Sequence, residues 1–433
     1  MIQISTRTAA ALLAGLATIA LCAAPQPASA AKKEAAAEEA PKPSFSKGFV
    51  KAAKSVQKDV DAKKWPEALT GIATLEALPD LSDDDWKVIL NWKLLAQQGT
   101  GDTEGLMRTL ETWLAKGYAT PEQTVQFHQN LAAHYSKKND AEKTLLHYKA
   151  FIDANPDPEP DEIAVLGRIY MQRGDNEQAV AWLNKAVATA EAKGQQPEEL
   201  WFQLMDRSFV EMKDPARRLA NLEELAKRFP KREYYARVLA LYSQGTGDDR
   251  ILMLNAYRLA LADVGLSTVG EYLGFADTAL VLGSPGEALR ALEKGMAAGV
   301  VPSAGTNQQT LQEARNAVAR DRKDLPRDAE AAAKSPKGEV DVKVGLGFYS
   351  LGEWAKAAES VQHGLAKGGV KRADDANMLL GAALVELGRY DDAKQAFAAA
   401  AAAAGTNDYM RRVAGLWTAY AARKARGAGA GAG

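Results

Sequence analysis

One turn residue recurs along this chain at a nearly constant spacing, and this recurrence limits the fold more than any other feature. The recurring positions are Lys63, Gly101, Asn139, Gly174, Met212, Gly247, Gly283, Gly352 and Gly388. Successive positions lie 35 to 38 residues apart, except for one gap of 69 residues that ends at Gly352. Self-similarity with a period of this length is typical of stacked helical units, each of which buries its apolar face against its neighbours.

The best-preserved unit covers residues 373–404 and reads ADDANMLLGAALVELGRYDDAKQAFAAAAAAA. Its spacing fits two helices joined by a tight turn, with Gly388 in the turn. Small residues such as Gly381 and Ala393 fall where the two helices come closest. Larger ones fill the grooves by ridge-into-groove contact. The positions that define this pattern are Leu380, Gly381, Leu384, Gly388, Tyr390, Ala393, Phe397 and Ala400.

This pattern resembles the tetratricopeptide repeat (TPR). Asn377, Leu384 and Gly405 depart from it, because the repeat has Trp, Tyr and Pro at those positions. The resemblance implies an all-α fold, a right-handed α-solenoid of about ten TPR-like helix–turn–helix repeats with a C-terminal capping helix.

The repeat positions divide the chain into segments. We expect a degenerate repeat or hinge at 303–337, because its apolar stripe is thin and the chain should turn at Pro326. The complete prediction is a signal peptide at 1–30, a disordered linker at 31–46, seven TPR-like repeats at 47–302, the degenerate segment at 303–337, two TPR repeats at 338–406, the capping helix at 407–425 and a disordered Gly/Ala tail at 426–433.

The first thirty residues have the features of an export signal. Arg7 precedes an almost unbroken apolar run at 9–24, and the segment ends in Ala28-Ser29-Ala30. This ending predicts cleavage after Ala30 and a periplasmic protein without stable membrane insertion, since the alanine-rich leader looks bacterial. Two alternatives are an uncleaved anchor and lipidation of Cys22, although Leu21 is not the small residue that a lipoprotein box has before its cysteine.

Composition and motifs argue against several classes of function. The chain has 54 Lys and Arg against 55 Asp and Glu, a balance that argues against a nucleic-acid binder. His128 and His134 are six residues apart and would point to different faces of a helix, whereas a helical metal pair needs a spacing of three or four. No familiar catalytic or phosphate-binding motif is present. We therefore predict no enzyme activity, no cofactor and no metal site.

The resemblance also implies where a partner would bind, because TPR proteins use a concave face lined mainly by the first helix of each repeat. The matching positions here are Arg168, Met171, Gln172, Phe202, Asp206, Phe209, Leu346, Tyr349, Met378 and Glu386. Apolar side chains among them favour a groove for a peptide or a helix. For Phe202 and Phe209, ordinary packing inside the fold is the open alternative.

The predicted function is a non-enzymatic scaffold of the bacterial periplasm that binds peptide or helical segments of other envelope proteins. The alternatives are a lipid-anchored outer-membrane assembly factor and an accessory subunit of a cell-wall enzyme. A receptor for C-terminal carboxylates is disfavoured, because positions such as Gln129 and Ala133 lack the Lys and Asn residues of that clamp.

Overall fold

The computed structural model describes residues 43–430, and twenty α-helices and no strand lie in that range. The range divides into an N-terminal unit, 43–197, and a C-terminal unit, 198–430. The predicted all-α class is confirmed. The predicted signal peptide, residues 31–42 of the predicted linker, and residues 431–433 lie outside the described residues.

The N-terminal unit consists of four consecutive helix pairs. Its helices are α1 Lys47–Asp61, α2 Trp65–Glu76, α3 Asp83–Thr100, α4 Thr103–Ala115, α5 Pro121–Lys137, α6 Ala141–Ala154, α7 Pro160–Gln172 and α8 Asn176–Ala192.

The C-terminal unit contains five helix pairs, one long unpaired helix and a final helix. The first three pairs are α9 Glu199–Glu211 with α10 Pro215–Arg228, α11 Arg232–Gly245 with α12 Arg250–Asp263, and α13 Val269–Val281 with α14 Pro285–Ala297. The long helix α15 Thr306–Lys334 is followed by α16 Gly338–Ser350, α17 Trp354–Lys367, α18 Ala373–Glu386, α19 Tyr390–Ala403 and α20 Asp408–Ala430.

A left-handed residue ends the first helix of each of these nine pairs. Eight of the nine positions are those that the sequence period indicates, and the ninth is Lys213 rather than the neighbouring Met212. In all of these turns except the one at Gly247, a backbone hydrogen bond across six residues closes the turn, as in Arg389 N–H to Leu384 O at 2.9 Å. Lysine is uncommon in this conformation, so glycine spacing alone could not have located the turn at Lys213.

Aspartate after the left-handed residue starts the second helix of several pairs. Asp102, Asp140, Asp175 and Asp214 each accept a hydrogen bond from the backbone N–H three residues further on. A carboxylate at this position also interacts favourably with the positive end of the helix dipole. Turn and cap together therefore set where these second helices begin.

The small residues of the best-preserved unit lie where they were predicted. A Cβ added to Gly381 would stand 2.3 Å from the side chain of Phe397, so α18 and α19 touch only because Gly381 has none. Ala393 and Phe397 are fully buried in the same contact.

The segment 303–337 differs from the prediction. It forms the single 29-residue helix α15, with Pro326 inside it, rather than a helix pair or a hinge. Its buried residues are Leu311, Ala314, Val318, Leu325 and Ala332. They form one stripe that continues past the proline, and this packing offsets the hydrogen bond that Pro326 cannot donate.

The helix pairs on either side of α15 contact each other directly. Gly286 N–H donates to Ser350 Oγ at 2.8 Å, and Arg290 Nη1 donates to Ser350 O at 2.5 Å. A Cβ at Gly286 would stand 1.9 Å from Ser350 O, so glycine permits this approach. The solenoid therefore continues past α15, which is an insertion and not a hinge.

The helix predicted as a cap at 407–425 is α20, which continues to Ala430 through the first residues of the predicted disordered tail. The helix packs on α19 and also on α10 and α12, whose sequences lie far earlier in the chain. It therefore closes the C-terminal unit as well as capping the last repeat.

Side chains of α20 bind specific groups on α10 and α12. Arg412 Nη1 is 2.9 Å from Glu223 Oε2, and Trp417 Nε1 donates to Asn255 O at 3.0 Å. Burial raises the pKa of the Glu223 carboxyl, and the charge of Arg412 opposes that rise. Further along, Arg423 Nη1 donates to Lys227 O at 3.0 Å, and its other terminal nitrogen contacts Asp263.

Candidate functional site

The structure buries five of the residues predicted to line a binding face. Phe202, Asp206, Phe209, Tyr349 and Met378 are each at most 6 % exposed, so the prediction that they are accessible is wrong. The reason is local packing in the C-terminal unit. The Phe202 ring lies 6.2 Å from that of Phe229, and the Asp206 carboxylate is held by Arg218 at 2.9 Å and by Arg237 at 3.1 Å.

The other five predicted residues are more accessible and are divided between the two units. Arg168 and Met171 are partly buried and Gln172 is exposed, all three on α7 of the N-terminal unit. Leu346 on α16 is partly buried and Glu386 on α18 is exposed, both in the C-terminal unit. A binding role for these five residues stays a prediction.

An apolar groove that the sequence did not reveal lies between α1 and α3, the first helices of the first two pairs. It is a hollow of about 420 Å³ lined mainly by Phe45, Phe49, Val50, Ala53, Val88 and Trp92, with Lys54 and Gln57 at its edge. Phe45 and Val50 are 44 % and 47 % exposed. Large side chains exposed to this extent beside a hollow are typical of a surface that binds another molecule.

Aromatic rings form the floor of this groove. The Phe45 and Phe49 rings are stacked with centroids 5.9 Å apart, and those of Phe49 and Trp92 are stacked at 6.3 Å. Phe49 and Trp92 are nearly buried in the core of the first two pairs. The groove is therefore preformed on rigid helices, with Phe45 at its accessible end.

The segment before α1 is fixed to α3, which holds Phe45 in place. Ser44 N–H donates to Asp84 Oδ2 at 2.8 Å, Ser82 Oγ donates to Ser44 O at 2.6 Å, and Ser46 N–H faces the carboxylate of Asp85. The linker prediction is therefore wrong for residues 43–46. The acidic run at the start of α3 caps that helix, and Asp85 completes a capping box with Ser82.

Four lysines follow one side of the groove along α1. Lys47, Lys51, Lys54 and Lys58 are all exposed. At 100° per residue they fall within an arc of about 60° of the helix. The spacing of these lysines beside Val50 is the sequence signal that could have identified this surface.

A cluster of titratable groups lies elsewhere in the N-terminal unit, where α5 and α6 meet. The Nδ1 atoms of His128 and His147 are 3.1 Å apart, and the His147 ring is stacked on that of Tyr135. Burial lowers the pKa of both histidines, and His128 lowers that of His147 further. A single hydrogen bond between two neutral rings satisfies this geometry, in keeping with hydrogen-bonded rather than metal-binding histidines.

Residues 43–430 contain no group of three or more His, Cys, Asp or Glu side chains that could hold a metal ion. In the same part of the chain, no helix has both the length and the apolarity needed to cross a membrane.

Comparison with known proteins identifies the repeat. The family model described as "Tetratricopeptide repeat" matches residues 164–193 and 374–407, which are the helices α7–α8 and α18–α19. No curated protein matches the chain.

Among solved structures, the chain is similar to the TPR2AB-domain:pHSP90-complex of yeast Sti1, with 10 % identity, a TM-score of 0.23, and coverage of 68 % of this chain and 97 % of that one. It is also similar to a tetratricopeptide repeat protein from Parabacteroides merdae, with 14 % identity, a TM-score of 0.23, and coverage of 78 % and 100 %. Likenesses at these TM-scores carry no argument about a partner. The two matches show that this chain contains tetratricopeptide repeats, and the other helix pairs of the described residues are joined by the same left-handed turn.

Proposed function

We propose that this protein is a non-enzymatic protein–protein interaction scaffold of the bacterial periplasm, which binds a peptide or helical segment of an envelope protein in the groove between α1 and α3. A fold of tetratricopeptide repeats suggests protein–protein interaction in general terms. The observation that carries the specific proposal is the preformed apolar groove with half-exposed Phe45 and Val50.

The proposal assigns binding to the N-terminal unit because the C-terminal unit uses its surfaces differently. There, five of the seven predicted binding residues are buried, and α10 and α12 are covered by the chain's own α20. In the N-terminal unit, covering the remaining exposed area of Phe45 and Val50 would contribute on the order of 1 kcal/mol for each side chain, at about 25 cal/mol per Å².

Photo-crosslinking in living cells tests the groove. A photoreactive residue at Val50 should capture a defined partner, whereas one at Thr112, an exposed residue of α4 in the same unit, should not. With the probe at Phe45, Val50→Asp should lower capture at least about tenfold, and Thr112→Asp should leave it unchanged. Equal capture from Val50 and Thr112, or undiminished capture by Val50→Asp, would rule out the groove.

The periplasmic address is part of the proposal and is supported by the leader sequence. Mass spectrometry of the mature N-terminus tests it. A chain that starts at Ala31 agrees with an exported protein cleaved after Ala30, and a lipidated Cys22 would favour the lipid-anchored outer-membrane assembly factor. Capture of a cell-wall hydrolase or synthase at Val50 would instead favour an accessory subunit of a cell-wall enzyme.

A further inference from the structure

The lysines of α1 differ from most other lysines of the N-terminal unit, because the structure gives them no ionic partner. Lys87, Lys138, Lys143, Lys149 and Lys193 all contact a carboxylate of the unit. In contrast, no carboxylate of the described residues lies within 4.0 Å of Lys47, Lys51, Lys54 or Lys58. Four like charges on one side of a helix repel each other, so this stripe favours an external negative charge.

The stripe and the groove form one continuous surface. A second hollow, lined by Phe45, Lys47, Val50, Lys51 and Lys54, shares Phe45, Val50 and Lys54 with the apolar groove. Apolar side chains entering the groove would thus bring the flank of the same ligand against the lysines. From Lys47 to Lys58 the stripe is roughly 16 Å long, at 1.5 Å per helical residue, which corresponds to about three turns of a partner helix.

We infer that the groove between α1 and α3, together with its lysine stripe, binds an amphipathic helical segment of a partner protein that carries acidic residues along one flank. This inference rests on the proposed function and adds the chemical class of the partner to it. The lysines would give orientation and association rate, and the apolar groove would supply most of the affinity.

The geometry favours a protein segment over an anionic membrane surface. The accessible apolar residues Phe45 and Val50 border a hollow whose floor is recessed between the two helices, since Phe49 is 4 % and Trp92 8 % exposed. A helix that binds a bilayer interface instead presents its large apolar side chains on a protruding face. On α1 the protruding side carries the lysines, and apolar side chains of a partner would have to enter from above.

Binding of two designed peptides to the full-length mature protein tests the inference. Both are fluorescent helices of about twenty residues with the same leucine stripe, and they differ only in a flank of Glu or of Lys. We expect the Glu peptide to bind at least about tenfold more tightly at about 0.05 M salt, and to lose most of this advantage at about 0.5 M. Fluorescence anisotropy gives both dissociation constants.

Charge-neutralised variants locate the effect. Replacing Lys47, Lys51, Lys54 and Lys58 by Gln should weaken the Glu peptide about tenfold and leave the Lys peptide no weaker. A matched control replaces four other exposed lysines without ionic partners, Lys137, Lys323, Lys334 and Lys343, and should change neither constant. Circular dichroism confirms that both variants are folded.

The outcomes separate this inference from the proposed function. If both peptides bind equally and Val50→Asp abolishes the binding of both, the groove is a binding site and the inference of an acidic flank on the partner is wrong. If neither peptide binds, the inference is wrong, and the crosslinking experiment still decides the proposed function. A third outcome would assign the stripe to a lipid surface instead. In that case the protein binds phosphatidylglycerol vesicles but not phosphatidylcholine vesicles and shows no preference for the Glu peptide. The Lys47/Lys51/Lys54/Lys58→Gln variant then loses the vesicle binding.

Discussion

The N-terminal unit leaves a groove open between α1 and α3, whereas the C-terminal unit covers helices α10 and α12 with its own C-terminal helix. Both units are built from pairs with the same left-handed turn. The units differ in what covers the helix surfaces that the stacking of neighbouring pairs does not bury. In the first unit it carries lysines without ionic partners, and in the second it binds α20 through Arg412, Trp417 and Arg423. The repeat therefore supplies a scaffold, and additional segments decide whether a surface is available.

Charged groups inside the C-terminal unit are paired with each other, in contrast to the lysines of α1 in the N-terminal unit. Arg258 and Glu287 form an ion pair of 2.6 Å with both side chains at most 4 % exposed. Asn255 donates to Asp375 at 2.9 Å, a contact between residues 120 positions apart. Burial raises the pKa of the Asp375 carboxyl, and the charge of Arg258 lowers it. Buried polar groups satisfied in this way are destabilising when one partner is lost, so they specify one closed arrangement.

The largest expected effect comes from a variant that weakens the contact of α20 with α10 and α12. Trp417 is 2 % exposed, stacks on Phe397 with centroids 5.2 Å apart, and bonds to Asn255 of α12. We expect Trp417→Ala to lower the free energy of unfolding of the C-terminal unit by about 3–5 kcal/mol, from the cavity that it leaves. Hydrogen exchange should show lost protection in α10 and α12 and unchanged protection in α1–α8.

A matched control for that variant is Val281→Ala, which removes a 61 % exposed side chain from the same unit. It should change the free energy of unfolding by less than about 0.5 kcal/mol. If Trp417→Ala leaves protection in α10 and α12 intact, closure by α20 does not stabilise these helices and the contrast between the units is lost.

A smaller effect, with a control of opposite sign, sharpens the comparison between a repeat helix and the closing helix. Gly381→Ala forces a Cβ to 2.3 Å from Phe397, and we expect a loss of about 1–3 kcal/mol. Gly415 in α20 has open space around its Cβ position, so Gly415→Ala should stabilise by about 0.5–1 kcal/mol through helix propensity. Thermal unfolding measures both changes, and a loss in both variants would contradict the packing described for α20.

The smallest expected effect concerns the N-terminal unit and pH. Folding lowers the pKa of His128 and His147 below their ordinary 6.5, so the unfolded chain takes up protons first as the pH falls. Stability from this pair is fully present above pH 6.5 and decreases below it. Glu111, 3.8 Å from His147, weakens the effect because it favours the charged imidazole and so raises the pKa of His147. Lys143 lowers that pKa and therefore strengthens the effect.

Hydrogen exchange of α5 and α6 at about pH 7.5 and about pH 5.5 measures this dependence. The His128→Gln variant removes one of the two titrating rings and should make the decrease shallower. Equal protection at both pH values in the native protein would show that the histidine pair does not couple protonation to folding.

Local features of the sequence predicted the repeats correctly, because their causes lie within one period. Turn glycines and small residues such as Gly381 are short-range signals. The period placed the turn at Met212, one residue before Lys213, because its intervals vary between 35 and 38 residues. The predicted turn at Pro326 was wrong. A proline ends a lone helix, whereas here the buried stripe of α15 is continuous on both sides of the proline.

The same local features of the sequence did not predict which side chains are exposed to solvent. Phe202 and Phe209 occupy positions that the repeat pattern leaves exposed, yet neighbouring side chains bury them, as in the contact of Phe202 with Phe229. The groove at Phe45 was missed because its segment has a linker-like composition. Bonds to Ser82, Asp84 and Asp85 at the start of α3 and the stack of Phe45 on Phe49 hold this segment in place.

By itself the sequence determined the all-α class, the period and the positions of nearly all the turns, because each depends on contacts within about forty residues. Tertiary structure alone decided the continuity of α15, the exposure of the binding surface and the closure by α20. These depend on pairs such as Arg412 and Glu223, which are 189 residues apart. No local periodicity encodes such a contact, since it forms only after the intervening helix pairs have stacked and brought its two ends together.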